Sequence, residues 1–194
     1  IDYLDKKRFN NKIQVQKNKK IYNVTGDSFN INQIVSKLLK NKTANSHNIF
    51  NKKFIFYFNI KEIYLDKVNT TYNLKGSLLF NRNEIYELDL ETEFLDKQKI
   101  KFTIKTTDDG EKITTLFSNE AKPLVDRYQF IKGFNEGTLD FYSIKKNNLS
   151  KSTLKIYDFK LKELPALTKI LTLASLQGIA DLLSGEGIRF NDFE

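Results

Sequence analysis

The chain has 194 residues, 40% hydrophobic and 29% charged, with 16 Phe, 9 Tyr, no Trp, no Met and no Cys. Zero cysteine excludes a disulfide framework and any thiolate metal site, and it leaves the compartment open. A net charge of +8 would suit an acidic partner, yet Lys and Arg are interleaved with 24 acidic residues rather than gathered on one element, as a nucleic-acid footprint demands.

Lys, Asn, Ile and Phe are all abundant, a composition that an AT-rich genome also produces. No secretory leader or uniformly apolar span is visible. A strand-like pattern starts almost at once and without an initiator Met, so the expectation is a fragment, residues 1–194, of a larger domain truncated at both ends.

Residues 1–25 are polar, with apolar alternations at Ile13 and Val15 and at Ile21, Tyr22 and Val24; they predict two edge strands. Thr25, Gly26, Asp27 and Ser28 read as a turn that starts a helix, with Asp27 or Ser28 as N-cap. Ile31, Ile34, Val35, Leu38 and Leu39 then follow helical spacing, predicting an amphipathic helix over 28–41. The polar loop after it holds His47. It is the only histidine, and it has no partner for metal or acid–base work.

From Lys53 the period changes to two. Phe54, Phe56, Phe58 and Ile60 alternate strictly, and Tyr72, Leu74, Gly76, Leu78 and Phe80 repeat the pattern. Tyr86, Leu88, Leu90 and Phe94 come next, then Ile100, Phe102 and Ile104, then Ile113 to Phe117. Such alternation predicts antiparallel strands with one dry and one wet face. Runs of about 7–10 residues are long for a compact domain, and the turn signals between them predict a meander. Glu120 to Arg127 reads as a short helical turn with Pro123 near its start. Leu139 and Phe141 mark the next strand, and Lys145 to Asn148 a hairpin loop. In Thr153 to Leu161 the phase slips: Leu154 and Ile156 share one phase, Phe159 and Leu161 the other. Such a slip predicts a bulge or bend.

The C-terminal stretch concentrates Leu and Ala, the residues of helix interiors. Leu167, Ile170 and Leu171 form one apolar stripe, but Leu176, Ile179 and Leu183 fall over the first stripe's polar side. The periodicity predicts a broken helical pair over 165–184, hinged near Ser175, with those six residues as a cap on the sheet. Lys169 and Asp181 argue against a membrane span, since each costs about 2.5–3.5 kcal/mol at a bilayer centre.

The same end carries a resemblance. Asp158 and Phe159 close a strand, Ser175 and Gly178 belong to an Ala-Ser-Leu-Gln-Gly run, and Gly185 and Gly187 lead into Phe190 through Leu-Leu-Ser-Gly-Glu-Gly-Ile-Arg-Phe. In these motifs residues 50–194 resemble the AsmA-like C-terminal region of the AsmA/YhdP/TamB family of Gram-negative envelope proteins. Lys122 and Pro123 depart from the glycine usual in that family at the interruption. The resemblance implies a repeating β-groove, long and twisted, with an apolar lining. It further implies the periplasmic portion of an inner-membrane-anchored protein that moves phospholipid toward the outer membrane, with no enzyme activity and no cofactor.

The expected fold is therefore mainly β with a few helices: a long, twisted antiparallel β-meander forming an open groove. Candidates for lining it are Phe54, Phe56, Phe58 and Ile60 on one strand, Leu78 and Phe80 on the next, Leu88 and Leu90, then Phe102 and Ile104, and finally Leu139 and Phe141. Phospholipid acyl chains are the expected partner, with the envelope membranes reached through the parent protein. The alternatives are an envelope scaffold without cargo and a basic nucleic-acid module. The second is disfavoured because the aromatics alternate with Leu and Ile and lack an arginine cluster. Asp108, Asp109 and Glu111 are explained by an Asp-Gly turn, and no phosphate loop or activated nucleophile is present.

Overall fold

A computed structural model describes residues 2–4, 9–32, 53–81, 84–128, 133–147, 149–162 and 188–193. Among these residues, eleven strands form a single sheet in chain order, β1 to β11. They are β1 (Asp2–Leu4), β2 (Asn10–Asn18), β3 (Ile21–Asn30), β4 (Phe54–Tyr64), β5 (Thr70–Asn81), β6 (Glu84–Glu93), β7 (Lys99–Thr106), β8 (Lys112–Ser118), β9 (Phe134–Lys146), β10 (Leu149–Leu161) and β11 (Ile188–Phe193). One helix, α1 (Lys122–Tyr128), separates β8 from β9. The first and last strands do not pair with each other, so the sheet is an open meander.

Three expectations are corrected. The pairing of β3 with β4 is parallel, with Ile21 opposite Ile55 and Val24 opposite Phe58, whereas every other neighbouring pair is antiparallel. The N-terminal region supplies three strands, and β3 lies inside the sheet rather than at its edge.

Residues 25–28 are strand and not a turn. Gly26 sits where the β2–β3 register shifts between Lys12 and Ile13, and a Cβ there would lie 2.4 Å from the Lys12 carbonyl oxygen. Asp27 is an ion-pair partner and Ser28 Oγ donates to the Asn10 carbonyl (2.6 Å), so neither caps a helix. Just beyond them, Asn30 Oδ1 accepts from the Asn32 N–H at 3.0 Å. The remainder of the 28–41 helix and the helical pair over 165–184 lie outside the described residues, with Ser175, Gly178, Gly185, Gly187 and all six predicted cap residues.

Register on the polar face is held by charge. Acidic Glu87, Glu91 and Glu93 on β6 oppose basic Lys105, Lys101 and Lys99 on β7, and Lys99 Nζ reaches Glu91 at 3.0 Å. These exposed pairs add little stability. A one-residue slip would nevertheless turn the charges into the core and the apolar set into water, so they help fix the alignment.

Candidate functional site

Cross-strand register places all twelve predicted lining residues on one face of the sheet. The central row can be followed from strand to strand: Val15, Val24, Phe58, Gly76, Leu90, Phe102, Leu116, Phe141 and Leu154, from β2 to β10. A second row toward the start of β4 holds Tyr22, Phe56, Leu78, Leu88 and Ile104, and Phe54 pairs with Phe80 beyond it. A third row, on the other side, holds Ile13, Gly26, Ile60 and Leu74, then Ile100, Ser118, Leu139 and Ile156. Aromatic contacts bind the first strands of this face together, with Tyr22 stacked on Phe56 at 4.8 Å and Phe56 edge-on to Phe80 at 6.1 Å.

Burial is graded along the strands. Ile60, Leu139 and Ile156 in the third row are 1–3% exposed, while Phe58, Leu90, Phe102, Leu116, Phe141 and Leu154 in the central row are only half-buried. Backbone irregularities accompany the dry end on two separate strand pairs. Asn73 (φ 57°) accompanies a register shift between Tyr72 and Lys75, and Asp158 (φ 51°) stands opposite Gly137 (φ 82°). The expected phase slip in β10 is thus real: Ile156 and Phe159 both reach the core because Asp158 between them is left-handed.

At this end α1 covers the apolar face. The Ala121 N–H donates to the Gly137 carbonyl (2.7 Å), and Ser118 Oγ donates to the Glu120 carbonyl (2.6 Å), fixing the entry to the helix. Ala121 and Val125, one turn apart and fully buried, pack on Phe134, Leu139, Ile156 and Phe159. Phe159 lies between Phe134 and Phe190 in a stack with centroids 5.3 and 5.2 Å apart. This stack gives two of the motif residues, Phe159 and Phe190, a structural task.

From the end of α1, Arg127 donates to the Leu65 carbonyl in the β4–β5 turn and to Asn32 Oδ1 (3.0 Å). Strands β4 and β9 are five places apart in the sheet order, about 24 Å in a flat sheet, whereas seven helical residues span about 10 Å. The Arg127 side chain and the β4–β5 turn make up part of the remaining span, so α1 and Arg127 together bridge the apolar face from β9 toward β4.

Two clefts lie elsewhere on the surface. On the polar face a cleft of about 500 Å³ is lined by Gln14, Thr25 and Asn59 together with Lys12, Asp27 and Lys61. Hydrogen bonds from Lys61 and Lys12 hold the Asp27 carboxyl below its ordinary range; this one exposed carboxylate is shared by lysines from β2 and β4 on either side of β3. Beside α1, a cleft of about 340 Å³ includes Phe94, Leu95, Asp96 and Glu120. Burial, then the nearby Asp96, raises the Glu120 carboxyl. Among the described residues no group of three or more His, Asp or Glu can hold a metal ion.

The sequence reading missed Tyr22, Val24, Leu116, Leu154 and Ile156 as members of the lining, although each follows the same alternation. It also missed Arg127, which no periodic pattern marks. No helix among the described residues is long and apolar enough to cross a membrane. Compared with known proteins, the chain matches no family model, no curated protein and no solved structure.

Proposed function

We propose that the chain is a segment of a cell-envelope protein whose apolar β-groove carries phospholipid acyl chains between the inner and outer membranes. The observation that carries this reading is the apolar row running without a charged residue from Val15 on β2 to Leu154 on β10. A half-buried strip of Phe and Leu that long is costly to leave wet, at about 25 cal/mol per Å², and an acyl chain is a cover that demands no polar partner. The resemblance of the C-terminal motifs to the AsmA-like region is what supports proposing an envelope setting and a periplasmic location.

The test is photocrosslinking in cells. Photoreactive residues at Phe102 and Phe141 on the apolar face should capture phospholipid, whereas positions Phe117 and Tyr142 on the opposite face should not. Equal capture from both faces, or none from Phe102 and Phe141, returns the chain to a scaffold without cargo.

A further inference from the structure

The apolar face is not uniform along its length, and the change occurs on one side only. On β8, β9 and β10 the third row reads Ser118, Leu139 and Ile156, and the central row reads Leu116, Phe141 and Leu154. The next row on the same face is entirely hydroxyl: Thr114, Ser143 and Ser152. The row after it is Lys112, Lys145 and Ser150. On β4 to β7 the corresponding positions remain apolar, with Phe56, Leu78, Leu88 and Ile104, and Phe54 and Phe80 beyond them.

The hydroxyls form a connected set. Ser152 Oγ donates to Ser143 Oγ at 2.8 Å, and Ser143 Oγ lies 3.3 Å from Ser150 Oγ. Lys112 and Lys145 are direct cross-strand partners, and like charges placed opposite each other destabilise a ladder. Glu84 offsets one of them, 3.2 Å from Lys112 Nζ. Among the described residues no acid pairs with Lys145. Two facing lysines beside three serines are an unfavourable arrangement for folding alone, but they suit an anion that accepts several hydrogen bonds at once.

We infer that the β8–β10 corner, built from Lys112, Lys145, Ser143, Ser150 and Ser152, is a phosphate subsite for an anionic amphiphile whose chain lies along the apolar rows toward α1. The distance supports this polarity. From Lys112 to Ser118, six residues on, the strand covers about 20 Å at roughly 3.3 Å per residue, enough for a long acyl chain. The inference rests on the groove reading above and adds an orientation to it: phosphate at the β9–β10 hairpin end, chain along the half-buried Leu116, Phe141 and Leu154, terminus at the edge of the helix-covered core.

The experiment titrates the purified chain with three probes, each below its micelle-forming concentration where one exists: dodecyl phosphate, dodecanol and inorganic phosphate. The proteins are the native chain, a Lys112→Gln/Lys145→Gln double variant and a Phe141→Ser variant, each checked for a native far-UV spectrum. The native chain should bind dodecyl phosphate at least about tenfold tighter than dodecanol, the scale of a charge-assisted hydrogen bond. The double variant should lose that preference while keeping its dodecanol affinity, and Phe141→Ser should weaken both amphiphiles.

Native binding of both amphiphiles with equal affinity, or an unchanged preference in the double variant, overturns the phosphate subsite and leaves the groove standing. Binding of inorganic phosphate as tightly as dodecyl phosphate overturns the link between anion and lining. Failure of both amphiphiles to bind overturns the groove reading and this inference with it.

Discussion

Replacing Gly76 with Ala tests whether the centre of the sheet is as tightly specified as its register implies. Gly76 stands in the central row between Phe58 and Leu90, with φ at +144°. A Cβ there would lie 1.9 Å from the Asp89 carbonyl oxygen and 2.9 Å from the Leu90 Cα. Both obstacles are backbone, so no side-chain rotation relieves them. Forcing a non-glycine residue into such a conformation costs about 1–3 kcal/mol. Moving β6 away sacrifices roughly two ladder hydrogen bonds at about 1 kcal/mol each. The expected loss is therefore about 3–5 kcal/mol, a large share of the roughly 5–15 kcal/mol that holds a typical domain together.

Gly110→Ala is the control. Gly110 also has positive φ (+77°), but a Cβ there meets nothing within 4 Å, so only the backbone cost of about 1–2 kcal/mol applies. Urea unfolding followed by far-UV circular dichroism and tyrosine fluorescence measures both. If Gly76→Ala is no more destabilising than Gly110→Ala, the close β5–β6 approach is not a real constraint, and the reasoning fails.

Three further outcomes are expected. Arg127→Met removes the donors to Leu65 and Asn32 and should cost about 1–3 kcal/mol, with faster amide exchange in the β4–β5 turn as its signature. Phe134→Ala, at 2% exposure in the aromatic stack, should lose about 3–5 kcal/mol in thermal or urea unfolding, while Phe117→Ala at 41% exposure should stay within about 0.5 kcal/mol. Asp66 is opposed by burial, yet hydrogen bonds from Asn69 and the Val68 N–H and the charge of Arg127 together bring it below its ordinary 3.8. The unfolded chain then binds the extra proton in the window below 3.8, so this stabilisation is complete above that pH and is lost as pH falls through the folded-state value. In acid titrations monitored by unfolding, Asp66→Asn should flatten the loss of stability below pH 3.8.

The strands were legible because each buries one face, and period-two alternation records that burial directly. Phe54 to Ile60 and Leu139 with Phe141 needed no tertiary information. The bend in β10 was legible too, since Ile156 and Phe159 cannot both reach a core without a phase change. The direction of pairing was not. Alternation at Tyr22 and Val24 is the same whether the next strand runs up or down, and the connection lies in residues 31–53. Thr25 to Ser28 carries every local turn signal, but Gly26 serves a bulge and Asp27 meets Lys12 and Lys61 across two strands. Tertiary partners outvoted local preference there. The lysine and serine corner was invisible for a related reason: Lys112, Thr114, Ser143 and Ser152 look like ordinary exposed positions until register puts them beside Leu116, Phe141 and Leu154.

The parallel β3–β4 join has a kinetic consequence. From β4 to β10 every pairing is between chain neighbours, and most of the turns are short. These strands can zip together one hairpin after another at small entropic cost in loop closure. Docking β3 beside β4 must wait for a long crossover to close, and contacts between residues far apart in sequence form late. The chain should accordingly fold in two stages, with β4 to β10 assembling first as a template and β1 to β3 adding as a unit. Pulsed amide exchange during refolding would reveal it as protection of Leu90 and Phe102 ahead of Val24.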